Sequence, residues 1–183
     1  MAIASTTGNF GWKATDFDLT DTFGTHKNLD SVRGPNGLLV MFICNHCPYV
    51  KSIIDRICRD AIELQSMGIG VAAIMSNDTH AYPEDSYVNM QKLAKTLDFS
   101  FPYLYDPTQQ IARDYGAICT PDFFGFDREL ALRYRGRLDS SGREAAAPDI
   151  RRELVDAMRL ITETGHGPAE QMTSIGCSIK WRN

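Results

Sequence analysis

The unbroken apolar run Gly37-Leu-Leu-Val-Met-Phe-Ile43 leads directly into Cys44-Asn-His-Cys47-Pro48. A strand with no polar position on either face fits a sheet covered on both sides, as parallel sheets are. After the second cysteine, Val50, Ile53, Ile54, Ile57, Ala61 and Leu64 recur at helical spacing. Lys51, Asp55, Arg59 and Glu63 fall on the other faces, and the spacing carries one helix to a stop near Gly68. The chain is therefore predicted to be α/β, with a Cys-x-x-Cys pair at the C-terminal end of a central strand, where a helix begins.

The other segments agree with that class. Phe17–Thr20 and Thr25–Leu29 pair across a turn at Asp21–Gly24, an N-terminal hairpin. Ile69–Met75 reads as a second buried strand. Tyr87, Met90, Leu93, Ala94 and Leu97 outline a helix that ends near Asp98. Phe101–Tyr105 is extended. Asp106-Pro-Thr-Gln109 opens a helix, with Asp106 as cap, Pro107 in the first turn and Gln109 reaching back as in a capping box; Gly116 ends it. Asp122–Phe126 and Leu130–Tyr134 form strands joined at Asp127-Arg128. A last helix runs from about Pro148 to Thr164, and the tail to Asn183 reads as irregular. This order predicts a mixed central sheet with helices on both faces. Without repeats or a linker, residues 1–183 read as a single domain.

Composition removes several classes of function. Of 183 residues, 43% are hydrophobic and 23% charged, with a net charge of −4, which fits a folded chain. No Lys/Arg cluster marks a surface for nucleic acid. No apolar run approaches the ~20 residues that span a bilayer, and Met1–Gly11 lacks the pattern of a secretory signal, so a cytoplasmic location is expected. Five unevenly spaced cysteines do not make a disulfide framework.

The close pair is then either a redox centre or half a metal site. Structural zinc commonly takes two Cys pairs or a Cys pair with a His pair. Here His26, His80 and His166 are scattered and Cys58, Cys119 and Cys177 are isolated, so no metal is expected. For redox work the placement is suitable. A thiolate attacks disulfides, and a helix start favours the anion. Cys44 is expected at the helix mouth as nucleophile, with Cys47 one turn further in, less exposed and able to resolve a mixed disulfide. His46, when protonated, would add positive charge beside Cys44 and make the pair more oxidising.

The strand–Cys44-Asn-His-Cys47-Pro48–helix unit resembles the redox motif of thioredoxin-fold proteins. Ala117-Ile-Cys-Thr-Pro121-Asp-Phe-Phe is similar to the segment that carries the cis-proline of that fold. The hairpin and the inserted Pro83–Leu97 region resemble the redoxin branch, the superfamily of alkyl hydroperoxide reductase and thiol-specific antioxidant, and Gly176-Cys-Ser-Ile-Lys-Trp181 resembles the tail of a bacterial subgroup with the same motif. The resemblance implies a thioredoxin fold with an N-terminal β-hairpin and an inserted helix. It also implies that Pro121 is cis against the cysteines, with the Thr120 backbone free to pair with an extended substrate. Two departures stand out. Leu38–Ile43 lacks the buried acid that assists the resolving cysteine in thioredoxin, and the peroxidatic Pro-x-x-x-Thr-x-x-Cys motif is missing.

Among the remaining thiols, Cys58 falls on an apolar stripe and reads as core packing. Cys119 is two residues from Pro121, where a buried apolar role competes with that of an auxiliary exchanging thiol. Cys177 lies in the tail, exposed or folded back. The sequence thus predicts an enzyme of cell redox homeostasis that exchanges disulfides without an organic cofactor. Its partners would be a disulfide-bearing protein or small thiol, with a reductase or thiol pool as electron donor. A thiol peroxidase with antioxidant activity, or a metal- or partner-binding module without catalysis, are the alternatives.

Overall fold

The computed structural model describes residues 2–182. In chain order its strands are β1 (Ala2–Ala4), β2 (Asp18–Asp21), β3 (His26–Asn28), β4 (Gly37–Phe42), β5 (Ile69–Met75), β6 (Tyr103–Tyr105), β7 (Cys119–Thr120), β8 (Asp122–Phe126), β9 (Leu132–Gly136) and β10 (Ile175–Ser178). Its helices are α1 (Leu29–Val32), α2 (Pro48–Lys51), α3 (Ile54–Ser66), α4 (Tyr87–Thr96), α5 (Gln110–Asp114) and α6 (Glu153–Thr164), with a 3-10 turn at Pro83–Asp85. Among the described residues, no helix is long and apolar enough to cross a membrane.

Seven strands form the central sheet in the order β3-β2-β6-β5-β4-β8-β9. β4, β5 and β6 are parallel, while β8 runs antiparallel beside β4 and β9 antiparallel beside β8. The apolar run at β4 is explained by its alternation. Leu39, Met41 and Ile43 enter one core with residues of α3, α4 and α6; Leu38, Val40 and Phe42 enter the other with residues of α1 and α5. Both faces are thus apolar because both are roofed by helices.

The long helix expected after Cys47 is broken. Ile53 leaves helical geometry at φ −120°, ψ −2°. A continuous helix would join the Ile53 N–H to the Tyr49 carbonyl. Instead the Ser52 hydroxyl donates to Tyr49 O at 3.0 Å, and the Ile53 N–H turns to Val50 O. A serine competing for its own helix backbone is a known cause of such a break. Only the four-residue α2 follows the cysteines directly.

Three further boundaries are corrected. α6 begins at Glu153 rather than Pro148, because the Leu154 N–H pairs with Leu138 O and Arg152 reaches across to Asp60 and Glu63 of α3. α5 begins at Gln110. Gln109 does not box the helix: its amide nitrogen donates to Ser76 O and Lys180 O, and its oxygen accepts from the Arg182 N–H. β9 begins two residues later than expected because Leu130 lies in the turn at φ 60°.

The larger correction is the tail, which is ordered. β10 is the middle strand of a small second sheet, β1-β10-β7, pairing Cys177 with Thr120 and Ser178 with Cys119. Gly176 permits this approach, since a Cβ there would overlap the Thr120 carbonyl oxygen. Gly176→Ala is therefore expected to destabilise the protein by about 2 kcal/mol, the size of an overpacked core contact. Urea unfolding followed by circular dichroism measures this. A midpoint unchanged from the parent would show that β10 does not hold its place as tightly as the packing implies.

Candidate active site

Cys44 and Cys47 sit where β4 runs out. Cys47 is the N-cap of α2, while Cys44 lies three residues earlier, outside that helix. The expectation that Cys44 opens the helix is thus corrected, and the helix dipole acts more directly on Cys47. Both sulfurs are buried, at 1% and 0% residue exposure. All five cysteines are free thiols.

Thr120 touches both members of the pair. Its hydroxyl lies 3.3 Å from Cys44 Sγ, and its carbonyl accepts from Cys47 Sγ at 3.2 Å. The Thr120–Pro121 bond is cis. The main chain of Thr120 does not wait for a substrate strand, however: β10 of the same chain already occupies that edge. Thr120 is brought to the site, then, through contacts with the two sulfurs.

Asp85, which ends the 3-10 turn in the inserted segment and is fully buried, was not among the residues singled out from the sequence. Its Oδ1 accepts the main-chain N–H groups of Asn45 (2.8 Å) and His46 (3.1 Å). Its Oδ2 accepts His46 Nδ1 (2.6 Å) and Asn77 Nδ2 (2.7 Å). The carboxylate thereby fixes the backbone between the cysteines and the ring of His46. Tyr82 stacks on that ring at 5.3 Å, and the Tyr103 hydroxyl donates to Asn45 Oδ1 at 3.0 Å. His46 Nδ1 is 3.9 Å from Cys44 Sγ, so the imidazole does flank that sulfur. Any positive charge on it faces Asp85 as well, which offsets the effect on Cys44.

The electrostatics invert the expected ranking of the thiols. Cys44 is pushed well above the ordinary thiol range by its hydrogen bond to Cys47, by burial and by the negative charge of Asp85. Cys47 is lowered to about 4 by the hydrogen bond from Cys44, against its own burial, with further donors from Cys177 and the Val50 N–H. The two thiols titrate as a pair in which the anion is favoured on Cys47 over Cys44. A depressed folded-state value stabilises the reduced fold above the ordinary thiol range, and that stabilisation is lost as pH falls through about 4. The thiolate ultraviolet absorbance of reduced protein is accordingly expected to persist at pH 6 and to disappear only on titration toward pH ~4; loss of the signal near pH ~8.5 would show ordinary, unshifted thiols.

The other thiols differ. Cys119 is fully buried and makes only a long 3.8 Å contact to Pro121 O; burial and Asp122 push it upward, which fits an apolar packing residue. Cys58 is only partly buried, not the core residue its stripe suggests, and burial followed by Asp55 raises it to about 11. Cys177 is folded back against Cys47.

A cleft of about 560 Å³ opens beside Pro121, lined by Tyr49, Ile53, Leu138, Arg143 and Ile175 among others. Among the described residues, Cys44, His46 and Asp85 bring three metal-capable atoms within 4.8 Å of one another. That is one ligand short of a structural zinc site. Four hydrogen bonds already occupy the Asp85 oxygens, so the cluster is explained without an ion.

Residues 10–135 match the AhpC/TSA family. An uncharacterized conserved protein of Geobacillus kaustophilus is similar in structure at TM-score 0.94 and 42% identity, over 100% of this chain and 97% of that one. A hypothetical protein of Sinorhizobium meliloti gives 0.92 and 37%, over 98% of each. The exposed lipoprotein thioredoxin of Streptococcus pneumoniae gives 0.57 and 19%, over 81% of this chain and 98% of that one, and with it the fold is a thioredoxin fold. No curated protein matches.

Proposed function

The chain belongs to the AhpC/TSA family, and on that premise we propose that it is a thiol–disulfide oxidoreductase whose working pair is Cys44 and Cys47. The observation that carries this reading is the pair of contacts at Thr120. They provide two arrangements of one proton. With the proton on Cys44, its thiol donates to the Cys47 thiolate. With the proton on Cys47, that thiol donates to Thr120 O, and the Thr120 hydroxyl donates to a Cys44 thiolate.

Cys47 therefore acts as the base that activates Cys44, a role for which β4 supplies no acid. Cys44 attacks one sulfur of a substrate disulfide, forming a mixed disulfide and releasing the other sulfur as a thiolate. Cys47 then attacks Cys44, the Cys44–Cys47 bond forms, and the substrate leaves reduced. The substrate is a disulfide-bearing protein or small molecule entering by the cleft at Pro121, and a thiol pool or reductase returns the electrons. Because the reduced form holds a stabilised thiolate, the couple is expected above the roughly −270 mV of thioredoxin. Titration in defined thiol buffers, with the disulfide mapped by mass spectrometry, tests this. A reversible two-electron couple at these residues supports the reading; none would overturn it. Family membership also favours a thiol peroxidase as second reading, and catalytic consumption of hydroperoxide by the reduced protein would replace the first with it.

A further inference from the structure

Cys177 is left out of this scheme, although the fold holds it at the centre of it. Antiparallel pairing sets it opposite Thr120, the residue that touches both working sulfurs. Its thiol and its main-chain N–H both reach Cys47. Gly176 allows β10 to lie this close to Thr120. The burial differs in a useful way: Cys44 and Cys47 are sealed, whereas Cys177 is half-buried at the protein surface. Two sealed thiols and a half-buried one thus adjoin, the last on a strand that fills the edge where a substrate strand was expected.

We propose that Cys177 is a third redox thiol, which takes the disulfide over from the buried pair and presents it to the reductant. This rests on the oxidoreductase reading above. In the step, Cys177 loses its proton to solvent and its thiolate attacks Cys47 Sγ of the Cys44–Cys47 disulfide. A Cys47–Cys177 bond forms, the Cys44–Cys47 bond breaks, and the electron pair leaves on Cys44, which is protonated from solvent. No net oxidation occurs; the disulfide only moves. An external thiolate then attacks Cys177 Sγ and Cys47 departs as the stabilised thiolate; a second external thiolate takes the first off Cys177 as a disulfide, so that two electrons from two thiols leave all three cysteines reduced. In the dithiol form Cys177 is held up to about 11 by burial and by the adjacent Cys47. The second of these causes vanishes once Cys47 is in a disulfide, so the attacking thiol is released by the same event that creates its target.

The experiment oxidises reduced Cys44→Ser protein with diamide, a small oxidant that removes two electrons and two protons from a thiol pair, and maps the products by mass spectrometry. A Cys47–Cys177 bridge is expected; protein with Cys47 and Cys177 unbridged would overturn the proposal. This variant leaves the tail intact, so it does not depend on substitution in β10. In a second arm, oxidised parent and Cys177→Ser proteins, each first shown to hold a Cys44–Cys47 bridge, are reduced by glutathione. Reduction of the variant is expected to be about tenfold slower, since its disulfide is reachable only through sealed sulfurs; equal rates would overturn the relay. A parent that forms no Cys44–Cys47 bridge fails the oxidoreductase reading itself, a result distinct from both.

Discussion

Cys47→Ser is expected to accumulate a mixed disulfide on Cys44 and to lose turnover by on the order of 10³-fold or more, as removal of one member of a catalytic unit does. The substitution removes the resolving sulfur and the base together. Cys44 then ionises only against its burial and against Asp85, so the adduct forms slowly, but nothing releases it. Cys44→Ser should lose turnover as completely, without trapping substrate, because the remaining Cys47 is fully buried, its sulfur held against Thr120 and Cys177. The contrast decides the roles. Incubation of both variants with a disulfide substrate, followed by mass mapping, should find the adduct only on the Cys47→Ser protein. Equal adducts on both would make Cys47, the more acidic thiol, the attacking one.

The parts of this fold written in local sequence were legible. The run at β4 announces a strand roofed on both sides, and β8 at Asp122–Phe126 is bounded as its pattern predicts. What failed were ends decided by partners distant in sequence. Gln109 fits a capping box on local grounds, yet its amide is worth more to Ser76 and to the tail at Lys180 and Arg182. Ser52 looks neutral in the helical pattern, but its hydroxyl takes the carbonyl on which the helix depends. β10 is short and mixed in polarity, and nothing in Ile175–Ser178 shows that it will be a strand until β1 and β7 flank it.

The site divides in the same way. Cys44, Cys47 and the Thr120–Pro121 segment were visible because residue type and position coincide with a chemical need. Asp85 was not, because 39 positions and a change of element separate it from His46, and an acid in Tyr-Pro-Glu-Asp looks like any solvated turn. The missing acid on β4 was the available signal. A Cys-x-x-Cys pair without one should prompt a search for a carboxylate arriving from elsewhere, and the inserted segment is where this chain supplies it. Its position differs in consequence, since Asp85 faces Cys44 and the motif backbone, leaving proton exchange to Cys47.

Asp85→Asn gives the sharpest measure of that arrangement, because it should change stability and redox poise by separate routes. An asparagine oxygen can still accept from the Asn45 and His46 N–H groups, but its amide nitrogen would then meet Asn77 Nδ2, a donor, and His46 Nδ1, which donates to the carboxylate in the parent and would have to change tautomer to accept. Unmaking two hydrogen bonds to a buried carboxylate is expected to lower stability by about 3 kcal/mol. The redox effect follows from charge. Asp85 opposes ionisation of Cys44, so its neutralisation makes the dithiol a better acid and stabilises the reduced form. The midpoint should therefore rise, by about 30 mV for each tenfold gain in that stabilisation. A variant that is merely loosened would lose stability while its potential stayed unchanged. A potential that falls would mean that Asp85 serves the pair chiefly through a positively charged His46, whose effect would then outweigh the direct repulsion. Measuring both quantities on one preparation separates the scaffold role of this carboxylate from its electrostatic one.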